Sequence, residues 1–129
     1  KDMRMGGVAH AHPPVCTSFA IAGIPLDREI YPEAMALLGK IPCLPYATPG
    51  SMELADAVAD CCMAYRGALL SNHGAVAWGE SVMEAFFRLE AMEQYAAILM
   101  NTEYIIGKAR EIDPEQKRKL TGGERNGAV

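Results

Sequence analysis

The sequence contains no apolar run approaching the roughly 20 residues that a membrane-spanning helix needs. It also has no basic excess: 12 lysines and arginines face 16 aspartates and glutamates, a formal charge of −4. Nucleic acid and anionic membranes are read through clustered positive charge, so neither is expected as a partner. Small anionic ligands stay open, because backbone donors or a metal bind them locally whatever the net sign. The four cysteines, Cys16, Cys43, Cys61 and Cys62, form no Cys-x-x-Cys pair. Adjacent Cys61 and Cys62 fall in an apolar helical run and read as reduced, core-filling thiols. Lys1-Asp2-Met3-Arg4 carries no apolar signal core behind it. Together these features predict a cytoplasmic protein. There is no internal repeat and no low-complexity tract.

What is there suits one globular domain. Half of the 129 residues are hydrophobic and 22% are charged, enough for an ordinary core without staples. Met5 to Ala11 reads as a buried strand, halted by Pro13-Pro14. Val15 to Ala22 predicts a helix with Gly23 as its C-terminal cap. Leu26 to Ile30 reads as a polar connection, and Tyr31-Pro32-Glu33 opens a short helix to Leu38. Ile41 to Tyr46 holds two prolines, which confines it to a sheet edge. Ser51 is an N-cap for a helix running to Gly67. Ala68–Ser71 and Ala75–Trp78 predict two strands around the turn Asn72-His73-Gly74. Ser81 with Glu84 forms a capping box before the longest helix. Val82, Phe86, Leu89, Ala96 and Met100 make its expected core face, with Glu93 the one charge on it. Asp113-Pro114 introduces a last short helix to Leu120.

Chemistry concentrates in three histidines, His10, His12 and His73. Residues two apart on a strand share a face, roughly 7 Å apart along it. Two such imidazoles can lean onto one ion, and a distant third completes a catalytic three-nitrogen set with an open position. Spacing alone fits a surface turn equally well, and a lone His73 would suit a hydrogen-bonded turn.

Three blocks bear on that choice: Gly7-Val8-Ala9-His10-Ala11-His12-Pro13-Pro14, Pro42-Cys43-Leu44-Pro45-Tyr46-Ala47-Thr48-Pro49-Gly50-Ser51, and Leu69-Leu70-Ser71-Asn72-His73-Gly74. In this order and spacing the chain closely resembles the class II aldolase/adducin family, from about Gly7 to Ile106. The resemblance implies an α/β fold, three-layer α/β/α with a mostly antiparallel sheet, incomplete at the N-terminus. It implies a homotetramer and one Zn²⁺ per chain on His10, His12 and His73. It further implies retro-aldol cleavage of a ketose 1-phosphate, such as L-fuculose 1-phosphate, to dihydroxyacetone phosphate and a small aldehyde. The metal would stabilise the enediolate as a Lewis acid. Tyr31 matches a family tyrosine that acts from a neighbouring subunit, which gives it a proton-transfer or oxyanion role; packing at an interface is the competing role.

The chain departs from the family pattern in two places. The family's general acid/base glutamate and its phosphate-binding turns lie upstream of the His-x-His pair, and nothing here matches them. Residues 1–120 therefore read as the C-terminal portion of one family domain, with 121–129 a flexible tail. The tyrosine of the family's C-terminal tail also has no counterpart after Tyr104. Activity by this chain alone is accordingly in question. Rival functions are a pentulose-phosphate 4-epimerase or dehydratase of the same family, or a non-catalytic adducin-like module. Among other residues, Cys16 reads as a packed thiol near the site. Glu93 is expected to satisfy backbone donors, although it could reach a histidine N–H instead. Trp78, Phe86 and Phe87 read as core or interface, and Lys117, Arg118 and Lys119 as a solvated helix face.

Overall fold

Neighbouring residues of the two central strands go to opposite cores, and that division sets the architecture. A computed structural model of the chain describes residues 5–122. It contains strands β1 (Gly7–Ala11), β2 (Cys43–Leu44), β3 (Gly67–Leu70) and β4 (Gly74–Gly79), in one sheet ordered β1-β4-β3-β2. β4 pairs antiparallel with both β1 and β3, while β2 lies parallel to β3 at the edge, where the flanking Pro42 and Pro45 are tolerated. Side chains alternate across a pleated strand. Leu69, Ala75 and Ala77 face one core, which also holds residues of helices α1 (Pro14–Ala22), α2 (Pro32–Leu37) and α4 (Val82–Leu99). Ala68, Leu70, Val76 and Trp78 face the other, against Leu54, Val58 and Cys61 of α3 (Met52–Cys61). The result is the expected three-layer α/β/α arrangement with a mostly antiparallel sheet.

Local signals start most helices. The Ser51 hydroxyl accepts from the Leu54 N–H at 3.2 Å, and Ser81 accepts from the Glu84 N–H at 3.1 Å. Glu84 reaches back one residue further than a standard box, taking the Glu80 N–H. Gly23 caps α1 in the left-handed conformation. Asp113 caps α5 (Pro114–Leu120) through the Glu115 N–H.

Several expectations are corrected. β1 is not buried: it is an edge strand with Gly7 its one buried residue, and Val8 is 61% exposed. Leu26 is not part of a polar connection but fully buried, bridged to Ile41 by backbone hydrogen bonds in both directions. α3 ends at Cys61 instead of running on to Gly67. The core face of α4 is rotated to Ala85, Leu89, Met92, Tyr95, Ala96 and Leu99, leaving Val82, Phe86 and Phe87 exposed. The sheet explains the rotation, since a Cβ on Gly67 would stand 2.8 Å from the Met92 sulfur. Met92 docks where the strand has no side chain, and burying it is worth about 1.5–3 kcal/mol. Trp78 is core, its indole N–H donating to the Tyr65 carbonyl at 2.9 Å. Beyond α4 the chain continues as a π-helical segment, Met100–Ile106, ended by Gly107. Lys117 is not simply solvated, because it pairs with Glu29 across to the loop before α2. Residues 123–129 of the proposed tail lie outside the described residues. No helix among the described residues is long and apolar enough to cross a membrane.

Candidate metal centre

His10 is directly opposite Val76 in the β1–β4 register, so its side chain stands on the sheet face that α3 covers. His12 follows two residues later, and Pro13-Pro14 then turn the chain into α1. On the neighbouring side, Leu70 pairs with Gly74, so Ser71, Asn72 and His73 form the hairpin turn between β3 and β4. Asn72 takes the left-handed conformation (φ 57°), which asparagine tolerates well. The His73 N–H donates to the Leu70 carbonyl at 2.9 Å, closing the turn. These elements bring all three imidazoles together, with ring centroids 5.1, 4.8 and 5.0 Å apart. One nitrogen from each ring lies within 4.8 Å of the others.

The hydrogen-bond pattern leaves nitrogens for an ion. His10 Nδ1–H donates to the Ala75 carbonyl at 2.9 Å, which fixes the tautomer and leaves Nε2 as a lone-pair donor. His73 Nδ1 is buried without any partner, a costly state for an imidazole nitrogen unless something binds there. Burial, then the neighbouring His10 and His12, hold the His73 pKa below its ordinary value, favouring the neutral ring that a metal requires. Three histidine nitrogens are the donor set of many catalytic zinc sites, and these three rings offer it. Three imidazoles, with His10 and His12 exposed, fit a divalent ion that keeps a position for water or substrate.

Gly74 is the residue that sequence reasoning passed over. A Cβ there would stand 2.6 Å from the Ala11 carbonyl and 2.7 Å from His12 Cδ2. His12 therefore crosses over Gly74, and the Asn72-His73-Gly74 turn signal hinted at the turn but not at this approach. Beside the trio an open cavity of about 630 Å³ runs between α3 and the sheet, walled by Ser51, Leu54, Val58, Leu70 and Val76 with His10 and His73 at its mouth.

The other candidate residues lie elsewhere. Tyr31 occupies the N-cap position of α2, half-buried against the α1–α4 core, and does not line the histidine cavity. Burial and the Glu33 carboxylate hold its hydroxyl above the usual tyrosine range, hence protonated. Cys16 is completely buried, and burial with the neighbouring Glu93 pushes its thiol pKa up, so it is a packed thiol. Glu93 meets backbone, as expected: its two carboxylate oxygens accept from the Val15 and Cys16 N–H groups at 2.9 and 2.8 Å.

Residues 1–100 match the family profile described as Class II Aldolase and Adducin N-terminal domain. An L-fuculose phosphate aldolase from Methanococcus maripaludis is 33% identical over 97 residues, covering 73% of this chain and 51% of that protein. A 3-oxo-tetronate 4-phosphate decarboxylase from Cupriavidus necator is also 33% identical over 97 residues, covering 72% of this chain and 45% of its own length. Among solved structures, an L-fuculose 1-phosphate aldolase superposes with a TM-score of 0.78 at 28% identity, over 92% of this chain and 55% of that one. The chain spans about half the length of the curated relatives it matches.

Proposed function

This chain belongs to the class II aldolase and adducin family, and from that premise we propose that it is part of a metal-dependent lyase breaking a carbon–carbon bond in a sugar phosphate. The substrate class is a ketose 1-phosphate such as L-fuculose 1-phosphate, released as dihydroxyacetone phosphate and a small aldehyde. The observation that carries this reading is the convergence of His10, His12 and His73, with one nitrogen from each within 4.8 Å of the others. A divalent cation there, Zn²⁺ in this reading, would supply Lewis-acid stabilisation of negative charge developing on a substrate oxygen.

The chain's own residues prepare that chemistry. His10 is oriented by the Ala75 carbonyl, His73 is kept neutral by its surroundings, and the exposed side of the trio admits the polar end of a sugar. Tyr31, too far round the fold to line its own chain's cavity, is assigned to the site of a neighbouring protomer in a homotetramer. Its protonated hydroxyl suits donation to a leaving or returning oxygen there. Residues 1–120 form the C-terminal portion of one domain in this reading. The general acid/base carboxylate and the phosphate-binding turns are assigned to an N-terminal portion, and the compartment to the cytoplasm.

A second reading has an observation of its own. The decarboxylase relatives are as similar as the aldolases. Loss of CO₂ from a 3-oxo acid and retro-aldol cleavage both leave an electron pair on carbon next to a carbonyl, so one oxyanion site serves both. The test is to incubate the purified full-length protein with L-fuculose 1-phosphate and with 3-oxo-tetronate 4-phosphate. Dihydroxyacetone phosphate released from L-fuculose 1-phosphate supports the aldolase reading, whereas CO₂ released from 3-oxo-tetronate 4-phosphate, whose other product is also dihydroxyacetone phosphate, supports the decarboxylase. An epimerised or dehydrated form of either substrate, or no turnover with bound metal, would overturn both.

A further inference from the structure

α1 is tied at both ends to the segments that carry the histidines. Its start follows His12 through the stiff Pro13-Pro14 joint. Near its end, the Ala20 carbonyl accepts from the N–H of Asn72, the residue before His73, at 3.2 Å. The helix is thus a strut between the His12 strand end and the His73 turn. Yet it has no cap of its own: Pro13 occupies the N-cap position and offers no side-chain acceptor. The cap comes from another helix. Glu93 of α4 places Oε1 on the Val15 N–H and Oε2 on the Cys16 N–H, two charge-assisted bonds at the positive end of the helix.

We propose that Glu93 is a positioning residue for the imidazole trio: by gripping two successive N–H groups of α1 it fixes that helix along and about its axis, and so sets His12 against His73. A local serine cap would satisfy one donor but would travel with the helix. Glu93 instead references α1 to α4, and α4 packs directly on β1 and β4, which carry His10 and follow His73. Two oxygens on two donors also resist rotation, which a single bond does not. Cys16 adds to the case, since it is fully buried beside the carboxylate and its own N–H is one of the two that Glu93 holds.

This inference rests on the trio being a metal site, and the experiment separates the two. Cobalt(II) is titrated into the metal-free chain, its Glu93→Gln variant and its His73→Ala variant, with the visible cobalt spectrum recorded. Glu93→Gln keeps size but turns one acceptor into a donor. It should raise the cobalt dissociation constant about tenfold and alter the d–d bands. A folded Glu93→Gln variant with unchanged affinity and spectrum overturns the positioning role while leaving the metal site intact. An unaltered chain that binds no cobalt, or a His73→Ala variant that binds it fully, removes the metal site and this inference with it. Should Glu93→Gln fail to fold, coupling is read in the unaltered chain. Reciprocity requires cobalt's diamagnetic substitute, zinc, to slow hydrogen exchange at the Val15 and Cys16 amides. Exchange there that zinc leaves unchanged overturns the proposal.

Discussion

Gly74 and His12 share a contact too close for any side chain on the former, since a Cβ would come within 2.7 Å of His12 Cδ2. The Ala11 carbonyl on the same side stands 2.6 Å away and is backbone, so it cannot swing clear. Gly74→Ala should therefore push β1 and the His12 ring outward, costing about 1–3 kcal/mol of stability and much of the metal affinity. Denaturant melts and elemental analysis check this together. An alanine variant with full metal content would mean that the ring's position over Gly74 is irrelevant to binding.

His73 is the ring of the trio whose Nδ1 is buried with no protein partner. Removing the ring in His73→Ala should reduce zinc from about one per chain to a small residual fraction, because two imidazoles seldom hold a site meant for three. Plasma emission analysis after gel filtration measures it directly. Retained stoichiometry would show the ligand set to be wrong.

Much of this arrangement is written locally. Ser51, Ser81 and Asp113 announce their helices because a cap involves only residues two or three positions away. The His-x-His pair and the Asn72-His73-Gly74 turn are likewise short-range patterns, and the family resemblance supplied their association. Contacts decided at long range were not legible. Which side of α4 turns inward depends on Gly67 opposite Met92, and both faces of that helix are apolar enough to serve. Leu26 sits in a polar stretch, and only its pairing with Ile41 makes it core. The exposure of β1 could not be foreseen either, because an apolar five-residue strand reads alike at an edge or in the centre.

Acid should weaken the metal-free fold through His73. Its pKa is lowered in the folded chain relative to the ordinary value of 6.5, so the unfolded chain binds the proton more readily. The contribution is fully present above the unfolded value and is lost as pH falls from there through the lowered folded pKa. Urea midpoints at a series of pH values from 7.5 downward should therefore fall more steeply for the parent than for His73→Gln, which cannot titrate. Parallel declines would remove His73 as the cause. Metal release should follow the same direction, since protons compete for the ligand nitrogens.

Ser81 offers a control remote from the histidines. Its hydroxyl takes the Glu84 N–H at the start of α4, and Ser81→Ala should cost about 1 kcal/mol. Metal content should stay unchanged, because the α4 residue that grips α1 lies three turns further on. A cobalt titration beside a thermal melt tests both halves, and loss of metal would mean that the whole of α4, rather than Glu93, sets the site.

Tyr31 separates a catalytic contribution from a packing one. Its ring rests on the core at the start of α2, and its hydroxyl is held protonated by burial and Glu33. Tyr31→Phe keeps the ring and removes only the hydroxyl. If that hydroxyl transfers a proton in a neighbouring protomer's site, turnover by the full-length enzyme should fall by about a hundredfold or more. Zinc content, oligomeric state by light scattering and melting temperature should stay put. Mixing Tyr31→Phe with His73→Ala subunits makes the assignment sharper. A site combining an intact trio from one parent with an intact tyrosine from the other forms only in mixed oligomers, so activity should reappear on mixing. Two inactive variants that stay inactive together would place the tyrosine and the histidines on one chain's site, against the position of Tyr31 away from its own cavity.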